Sequence, residues 1–349
     1  MFDLIKQLAE LDGPVGQEQA VLDAIEPMWR ELGARTERTR VGNVLGRTVG
    51  TGPKLLLVAH ADELCYLVRS IDPAGFLWLA NGQAWERKTS MRNWFTVGQR
   101  VKVMARAGAI TGVIAAATGH VATLALPEPA ELTWNDFWVD TGLGADELRA
   151  RGVTPGTRVI WDAPTVQQGQ HVVGKALDDR APLAVITEVL RRVPPDQRRW
   201  NLTLACTIQE EIGLVGAFAL AARESFDAAI VVEIGLAGDI PGVDARAMPI
   251  RLGAGPVLVH KDALVHYDHR LTASLEQVAL ANEIAVQHAV FGSFGSDGAA
   301  LMKADIPAAM VAFPARYTHS PFETGHLGDI EGLVRWLAAF VSSDEAASR

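Results

Sequence analysis

Apolar positions recur along this chain with two periods, and the alternation between them predicts most of the architecture. From Gln17 onward, Val21, Leu22, Ile25, Met28, Trp29 and Leu32 return at helical spacing, and Gly33 supplies the stop. The run Lys54-Leu-Leu-Leu-Val-Ala59 is short and unbroken, the pattern of a strand buried on both faces of a parallel sheet. Between about Arg69 and Pro164 the texture changes to short β-type runs at 76–79, 100–104, 111–115 and 158–161, punctuated by glycines. The helical stripe then returns with Leu183, Ile186, Val189 and Leu190. Leu202–Cys206, Ala228–Val232 and Ala308–Phe313 read as further buried strands, and Ile330, Leu333, Trp336, Leu337 and Phe340 mark a closing helix. The pattern predicts an α/β fold, a mostly parallel sheet with helices on both faces, built from 1–68 and 165–349. A small β-barrel or sandwich is inserted over 69–164.

Length agrees with this division, because 349 residues exceed what one ordinary core serves. A hydrophobic share of 49% excludes a disordered chain. The formal net charge of -9 argues against a nucleic-acid or anionic-membrane partner. Cys65 and Cys206 each sit in an apolar stretch and make no disulfide framework. The start, Met1-Phe-Asp-Leu-Ile-Lys, lacks the basic opening and uninterrupted apolar stretch of a signal peptide. With no apolar run of bilayer length, the chain reads as cytoplasmic.

The candidate chemistry lies where these strands end, since ligands gather at the carboxyl ends of strands in α/β sheets. The first buried strand runs into His60, with Asp62 two residues on; a carboxylate so placed fixes the tautomer of a metal-binding imidazole. A polar turn would explain the pair equally well. Asp178 and Asp179 precede a helical stripe, where one acid is a natural N-cap and the second exceeds that need. Glu210 and Glu211 follow a buried strand, and neighbouring carboxylates there are costly unless paired or coordinated. Their side chains point in different directions, so one suits a metal and the other a base facing substrate. Glu233 closes the run Ala228–Val232, and His319 stands in a polar loop after the last strand. Either alone reads as a surface residue. Together, His60, Asp178, Glu211, Glu233 and His319 form the donor mixture that suits two zinc-like ions sharing a bridging carboxylate.

These residues sit in longer strings: AHADE at 59–63, GKALDDR at 174–180, QEEIGLVGA at 209–217, AGDIPGV at 237–243, LGAGPV at 252–257, GSDGAA at 295–300 and RYTHSP at 316–321. Through nearly its whole length the chain resembles the TET-type glutamyl and deblocking aminopeptidases, a family of dinuclear metallopeptidases. The resemblance implies that His60 and Glu233 bind one metal, Glu211 and His319 the other, and that Asp178 bridges them. It implies that Asp62 orients His60 and that Glu210 is the general base. It further implies two divalent ions per chain (zinc, with cobalt or manganese as alternatives), a dimerising inserted domain, and homo-oligomers from dimer to hollow dodecamer.

Two departures bear on the substrate. Most members carry aspartate at the position of Glu233, and related dinuclear peptidases place glutamate there in carboxypeptidases and deacylases. The stretch Val259–His269 contains three histidines, more than the family pattern leads one to expect, and reads as a surface loop or a substrate-selecting one. The reaction implied is amide hydrolysis of short peptides, with Glu210 taking a proton from water and returning it to the departing amine. An aminopeptidase is the first expectation; a carboxypeptidase or N-acyl-amino-acid deacylase is second, favoured by Glu233. A glycoside hydrolase using a carboxylate pair, or a non-catalytic scaffold, stands further off.

Overall fold

Leu55, Leu57 and Ala59 enter one hydrophobic core, while Leu56 and Val58 enter another on the opposite side of the same strand. Successive side chains of a strand alternate in direction, so an unbroken apolar run is stable only where both faces are covered. Three further strands divide in the same way. Leu202, Leu204 and Cys206 oppose Ala205; Ile230, Val232 and Ile234 oppose Ala229 and Val231; Ala309, Val311 and Phe313 oppose Ala308, Met310 and Ala312.

The structure is a computed structural model that describes residues 1–50, 52–82, 96–117 and 132–347. Contacts group the chain into two units, Met1–Glu63 with Thr165–Thr318 and Phe322–Arg349, and Leu64–Pro164 with His319–Pro321. Among the described residues, no helix is long and apolar enough to cross a membrane.

In chain order the strands are β1 (Arg35–Arg38), β2 (Val44–Arg47), β3 (Lys54–His60), β4 (Tyr66–Ile71), β5 (Leu77–Asn81), β6 (Arg100–Ala105), β7 (Gly108–Ala116), β8 (Phe137–Asp140) and β9 (Arg158–Trp161). They continue with β10 (Val166–Gln168), β11 (His171–Gly174), β12 (Asn201–Thr207), β13 (Ala228–Leu236), β14 (Val257–Lys261), β15 (Gln287–Val290), β16 (Ala308–Arg316) and β17 (Glu323–His326). The first unit holds a mixed sheet ordered β1-β2-β12-β3-β13-β16-β17-β11-β10, with β14 and β15 branching from β16. Its centre, β12-β3-β13-β16, is parallel throughout. Antiparallel partners flank that centre, β2 beside β12 and β17 and β14 beside β16.

Helices Phe2–Ala9, Gln19–Glu31, Leu177–Arg192, His269–Ala281 and Leu327–Val341 contribute to the first core; Val215–Ala221 and Asp297–Lys303 contribute to the second. A fully buried Leu, Ile or Val contributes about 1.5–3 kcal/mol. The polar edges of buried indoles are satisfied too: Trp29 Nε1 donates to Thr187 Oγ1 at 2.9 Å and Trp336 Nε1 to the Leu275 carbonyl at 2.8 Å.

The second unit is a closed barrel in the order β4-β5-β8-β7-β6-β9, which resolves the sequence alternative of barrel or sandwich. Closure pairs both long sides of every strand and removes the exposed edges of a small sheet. Alternate residues fill its interior, among them Val68, Leu77, Leu79, Val101, Val103, Ile114, Phe137, Val139 and Val159. Tyr66 lies edge-on to Trp134 and Trp161, with ring centroids 6.0 and 5.8 Å away.

Candidate metal centre

The parallel strands of the central sheet finish at one edge, where their polar residues meet. β3 ends on His60, which is 2% exposed, and the adjacent strand β12 ends on Thr207, in register with it. Beyond Val231, β13 no longer pairs with β3. Glu233 falls just past that point, inside a strand that continues to Leu236, and is 5% exposed. Thus Glu233 does not terminate its strand, as the apolar run alone implied; it projects from the strand where pairing has opened.

Two groups of potential donor atoms result, each with its atoms within 4.8 Å of one another: His60, Asp178, Asp179 and Glu233, and Asp178, Glu211 and His319. Asp178 belongs to both. Its Oδ1 lies 3.0 Å from His60 Nε2, which is also 3.9 Å from Glu233 Oε2 and 4.0 Å from Glu210 Oε2. The five residues proposed from sequence as donors are therefore brought together, in two sets joined by the one proposed as the bridge.

The local backbone is shaped to this end. The helix Leu177–Arg192 has non-helical torsions at Asp178 and Asp179, which are joined by a cis peptide bond. Asp179 does not act as a helix cap; its Oδ2 accepts the backbone N–H of His60 at 2.9 Å. The N–H of Asp178 donates to Glu323 Oε2 at 3.0 Å. Ala176, Gln209 and His319 have φ of +51°, +51° and +63°, all in the left-handed region that side chains other than glycine disfavour. Such strain concentrates where surrounding structure holds a site in a fixed geometry.

Asp62 has a wider role than sequence indicated. Its Oδ1 stands 3.5 Å from His60 Nδ1, an ion-pair distance on the side where an orienting carboxylate belongs. Its two oxygens also accept the backbone N–H groups of Glu210 at 3.0 Å and Glu211 at 3.1 Å. Behind the donors, Lys175 Nζ donates to both oxygens of Glu63 at 2.9 and 2.7 Å, and Arg180 donates to the carbonyls of Leu8, Leu11 and Gly13. Both cations are buried, and with Glu63 they tie the segments 59–63 and 174–180 to the N-terminal turn.

Electrostatics favour a multivalent cation here. Burial and the neighbouring Asp178 push Glu233 up to about 8. Burial, then Glu233, raises Asp179 well above the carboxylate range, and burial with Glu233, Asp297 and Glu211 does the same to Glu210. Burial alone would depress His60; Asp179, Asp178 and Asp62 overrule it and hold the imidazole well above its ordinary value. Among the described residues, Asp179 Oδ1 and Glu210 Oε1 are buried without a hydrogen-bond partner. Crowded carboxylates and an imidazole with unspent acceptors fit divalent ions of the zinc type.

Three contributors escaped the sequence reading. Asp179 was visible only as a second acid beside Asp178. Glu323 lies on β17, a strand with no apolar signal. Asp297 follows the N-cap Ser296, accepts the Thr207 hydroxyl at 2.6 Å, and is pushed by burial to about 6. Its Ser-Asp-Gly setting signals a helix start and nothing more.

The family model described as M42 glutamyl aminopeptidase matches residues 42–336. FrvX of Escherichia coli K12 is 30% identical, over 98% of this chain and 95% of that one. Aminopeptidase APDkam598 from the archaeon Desulfurococcus kamchatkensis superposes with a TM-score of 0.90 at 26% identity, covering 98% of this chain and 94% of its own. PhTET1-12s, solved as a dodecamer in the asymmetric unit, superposes with a TM-score of 0.85 at 25% identity, covering 98% of each chain.

Proposed function

Because the chain belongs to the M42 glutamyl aminopeptidase family, we propose that its two donor groups hold two divalent ions with Asp178 between them, and that Glu210 is the base for removal of N-terminal residues from short peptides. The chain is a metal-dependent aminopeptidase; the ion count, the residue roles and the substrate are our reading. The observation that carries it is the shared carboxylate, since Asp178 alone belongs to both donor groups. In this reading His60 and Glu233 complete one site, Glu211 and His319 the other, with Asp179 held beside the first. Zinc is the favoured ion for this mixture of imidazole and carboxylate, with cobalt and manganese as substitutes.

When bound, the ions supply Lewis-acid charge that acidifies water and polarises the scissile carbonyl. The chain's own residues perform the proton transfers. Glu210, whose Oε2 lies 4.0 Å from His60 Nε2, accepts a proton from attacking water and returns it to the departing amine. Asp62 holds the backbone of Glu210 and keeps that carboxylate aimed. The crowding of all these acids around one imidazole disfavours a glycosidase, whose two carboxylates stand apart across a sugar ring.

The relatives' assembly supports a homo-oligomer, with the barrel as the dimerising unit and the dodecamer as the upper size. The charge of -9 supports an enzyme without nucleic-acid or anionic-membrane partners.

Glu233 keeps a second reading in view, hydrolysis at a free carboxylate. One dipeptide offered free, N-acetylated and C-amidated, with zinc, cobalt or manganese, separates the two. Loss of turnover on acetylation alone is the expected result. Loss on amidation alone assigns the enzyme to carboxypeptidase or deacylase chemistry.

A further inference from the structure

The histidine-rich stretch 259–269 is not used by the peptidase centre, yet one of its members has a partner that local sequence does not suggest. His260 stands on β14, and His288 stands on the neighbouring parallel strand β15, whose register pairs His288 with Leu258. The two imidazoles are within 11° of parallel, with centroids 5.2 Å apart and His260 Nε2 2.9 Å from His288 Nδ1. At that spacing the rings lie side by side, nitrogen to nitrogen, and the neutral pair shares one proton between two lone pairs.

A third residue sets the direction of this pair. Glu276, on the helix His269–Ala281, has Oε1 3.6 Å from His288 Nε2, the nitrogen turned away from His260. A carboxylate there favours the proton on Nε2, which leaves the Nδ1 lone pair of His288 facing His260. The contact is longer than a hydrogen bond and places a carboxylate on the side from which metal-binding histidines are oriented. Burial and the facing His288 hold His260 below the ordinary histidine value, which favours a neutral ring whose Nε2 carries the shared proton. Both rings are exposed to solvent, so an arriving cation keeps water on its other coordination positions.

We infer that His260 and His288, oriented by Glu276, form a surface site for one imidazole-preferring transition-metal cation, copper(II) or nickel(II) ahead of zinc(II). Metal–nitrogen bonds of about 2.0–2.1 Å put two nitrogens on one ion about 2.9 Å apart when they are cis in a square-planar or octahedral shell, and about 3.4 Å apart when tetrahedral. The observed 2.9 Å matches the cis arrangement. The Nε2–H of His260 now points along the nitrogen–nitrogen line at the Nδ1 lone pair of His288, so binding moves that proton and turns each exposed ring outward until two lone pairs converge. The cation takes the place of the shared proton, which leaves His260 Nε2 for solvent while Nδ1 of the same ring takes one up, so both imidazoles stay neutral and no net proton is released. The site is independent of the peptidase reading, because none of its three residues belongs to that centre.

The test uses untagged, full-length enzyme loaded with zinc, titrated with copper(II) while zinc retention is followed. Wild-type protein is expected to bind one copper per chain with zinc retained, and with nitrogen hyperfine structure in its electron paramagnetic resonance spectrum. His260→Gln and His288→Gln should each remove that equivalent and leave peptide turnover unchanged. Glu276→Gln should weaken binding by about 10–100-fold, the usual cost of losing an orienting partner. His266→Gln, an exposed histidine of the same segment, should keep the copper. No copper on the wild type, or equal uptake by the His260 and His288 variants, overturns the assignment.

Discussion

Asp62 Oδ1 accepts the backbone N–H of Glu210 at 3.0 Å while its Oδ2 accepts that of Glu211 at 3.1 Å. One buried carboxylate on the loop after β3 thus sets the position of two others on the loop after β12. Replacing Asp62 by Ala strips both amides of their acceptor and removes the carboxylate 3.5 Å from His60 Nδ1. We expect zinc affinity to fall by about 10–100-fold, as for loss of an orienting partner in other metal sites. Competition with a chelator measures this, and unchanged affinity together with unchanged turnover would remove Asp62 from the site.

Lys175 neutralises Glu63 where neither side chain reaches solvent, at 2% and 3% exposure. Removing one member of a buried pair strands the other, at a cost of about 3–5 kcal/mol. Arg180, 3.6 Å from Glu63, still offers partial compensation, so Lys175→Met should destabilise by about 3 kcal/mol, the lower end of that range. The double variant with Glu63→Gln should recover part of the loss. Urea midpoints for the two variants test this; equal midpoints for wild type and Lys175→Met would show that the pair does not hold these segments.

Cys65 and Cys206 are both buried. Burial pushes the Cys206 thiol up to about 12, far from the thiolate form that reacts with alkylating reagents. Iodoacetamide at neutral pH should leave the native chain unlabelled and should label both cysteines once it is unfolded. Labelling of Cys206 at the rate of a free thiol would contradict its placement in β12.

Arg316 donates to both oxygens of Asp239, at 2.9 and 2.5 Å, and holds that carboxyl below its usual range. A folded-state value below the unfolded one means stabilisation that is complete above about pH 4 and lost as pH falls through the folded value. Both side chains keep some exposure, 25% for Arg316 and 17% for Asp239, and solvent screening limits the pair's worth to about 1 kcal/mol. Asp239→Asn should therefore lower the melting temperature slightly at pH 7 and shrink the further drop between pH 4 and pH 3. An acid-induced drop identical to wild type would exclude the pair from acid unfolding.

The sequence was most legible where one physical demand acted alone. Leu55–Ala59, Leu202–Cys206, Ala228–Val232 and Ala308–Phe313 are apolar without interruption because both faces of each strand are buried, and all four form the parallel centre. Glu323–His326 forms β17 with no such signal, because its register with β11 and β16 is imposed from outside by backbone pairing. Val215–Ala221 is a helix of seven residues, VGAFALA, with no polar position to reveal its period. At the candidate metal centre the proposed donors were readable as acids and histidines following strands. The backbone roles of Asp62 and Asp179 were not, since a side chain bonding to an amide more than a hundred residues away leaves no local trace. The same is true of His260 and His288, which only β14–β15 pairing unites.

The central claim is that Glu210 moves the proton while other residues hold the metal. Elemental analysis of Glu210→Gln, set beside its dipeptide turnover, tests it most directly. We expect two ions per chain, as in wild type, with turnover lowered about 10²–10⁴-fold, the usual worth of general acid–base catalysis. Undiminished turnover with both ions bound would contradict it and move the base to another residue.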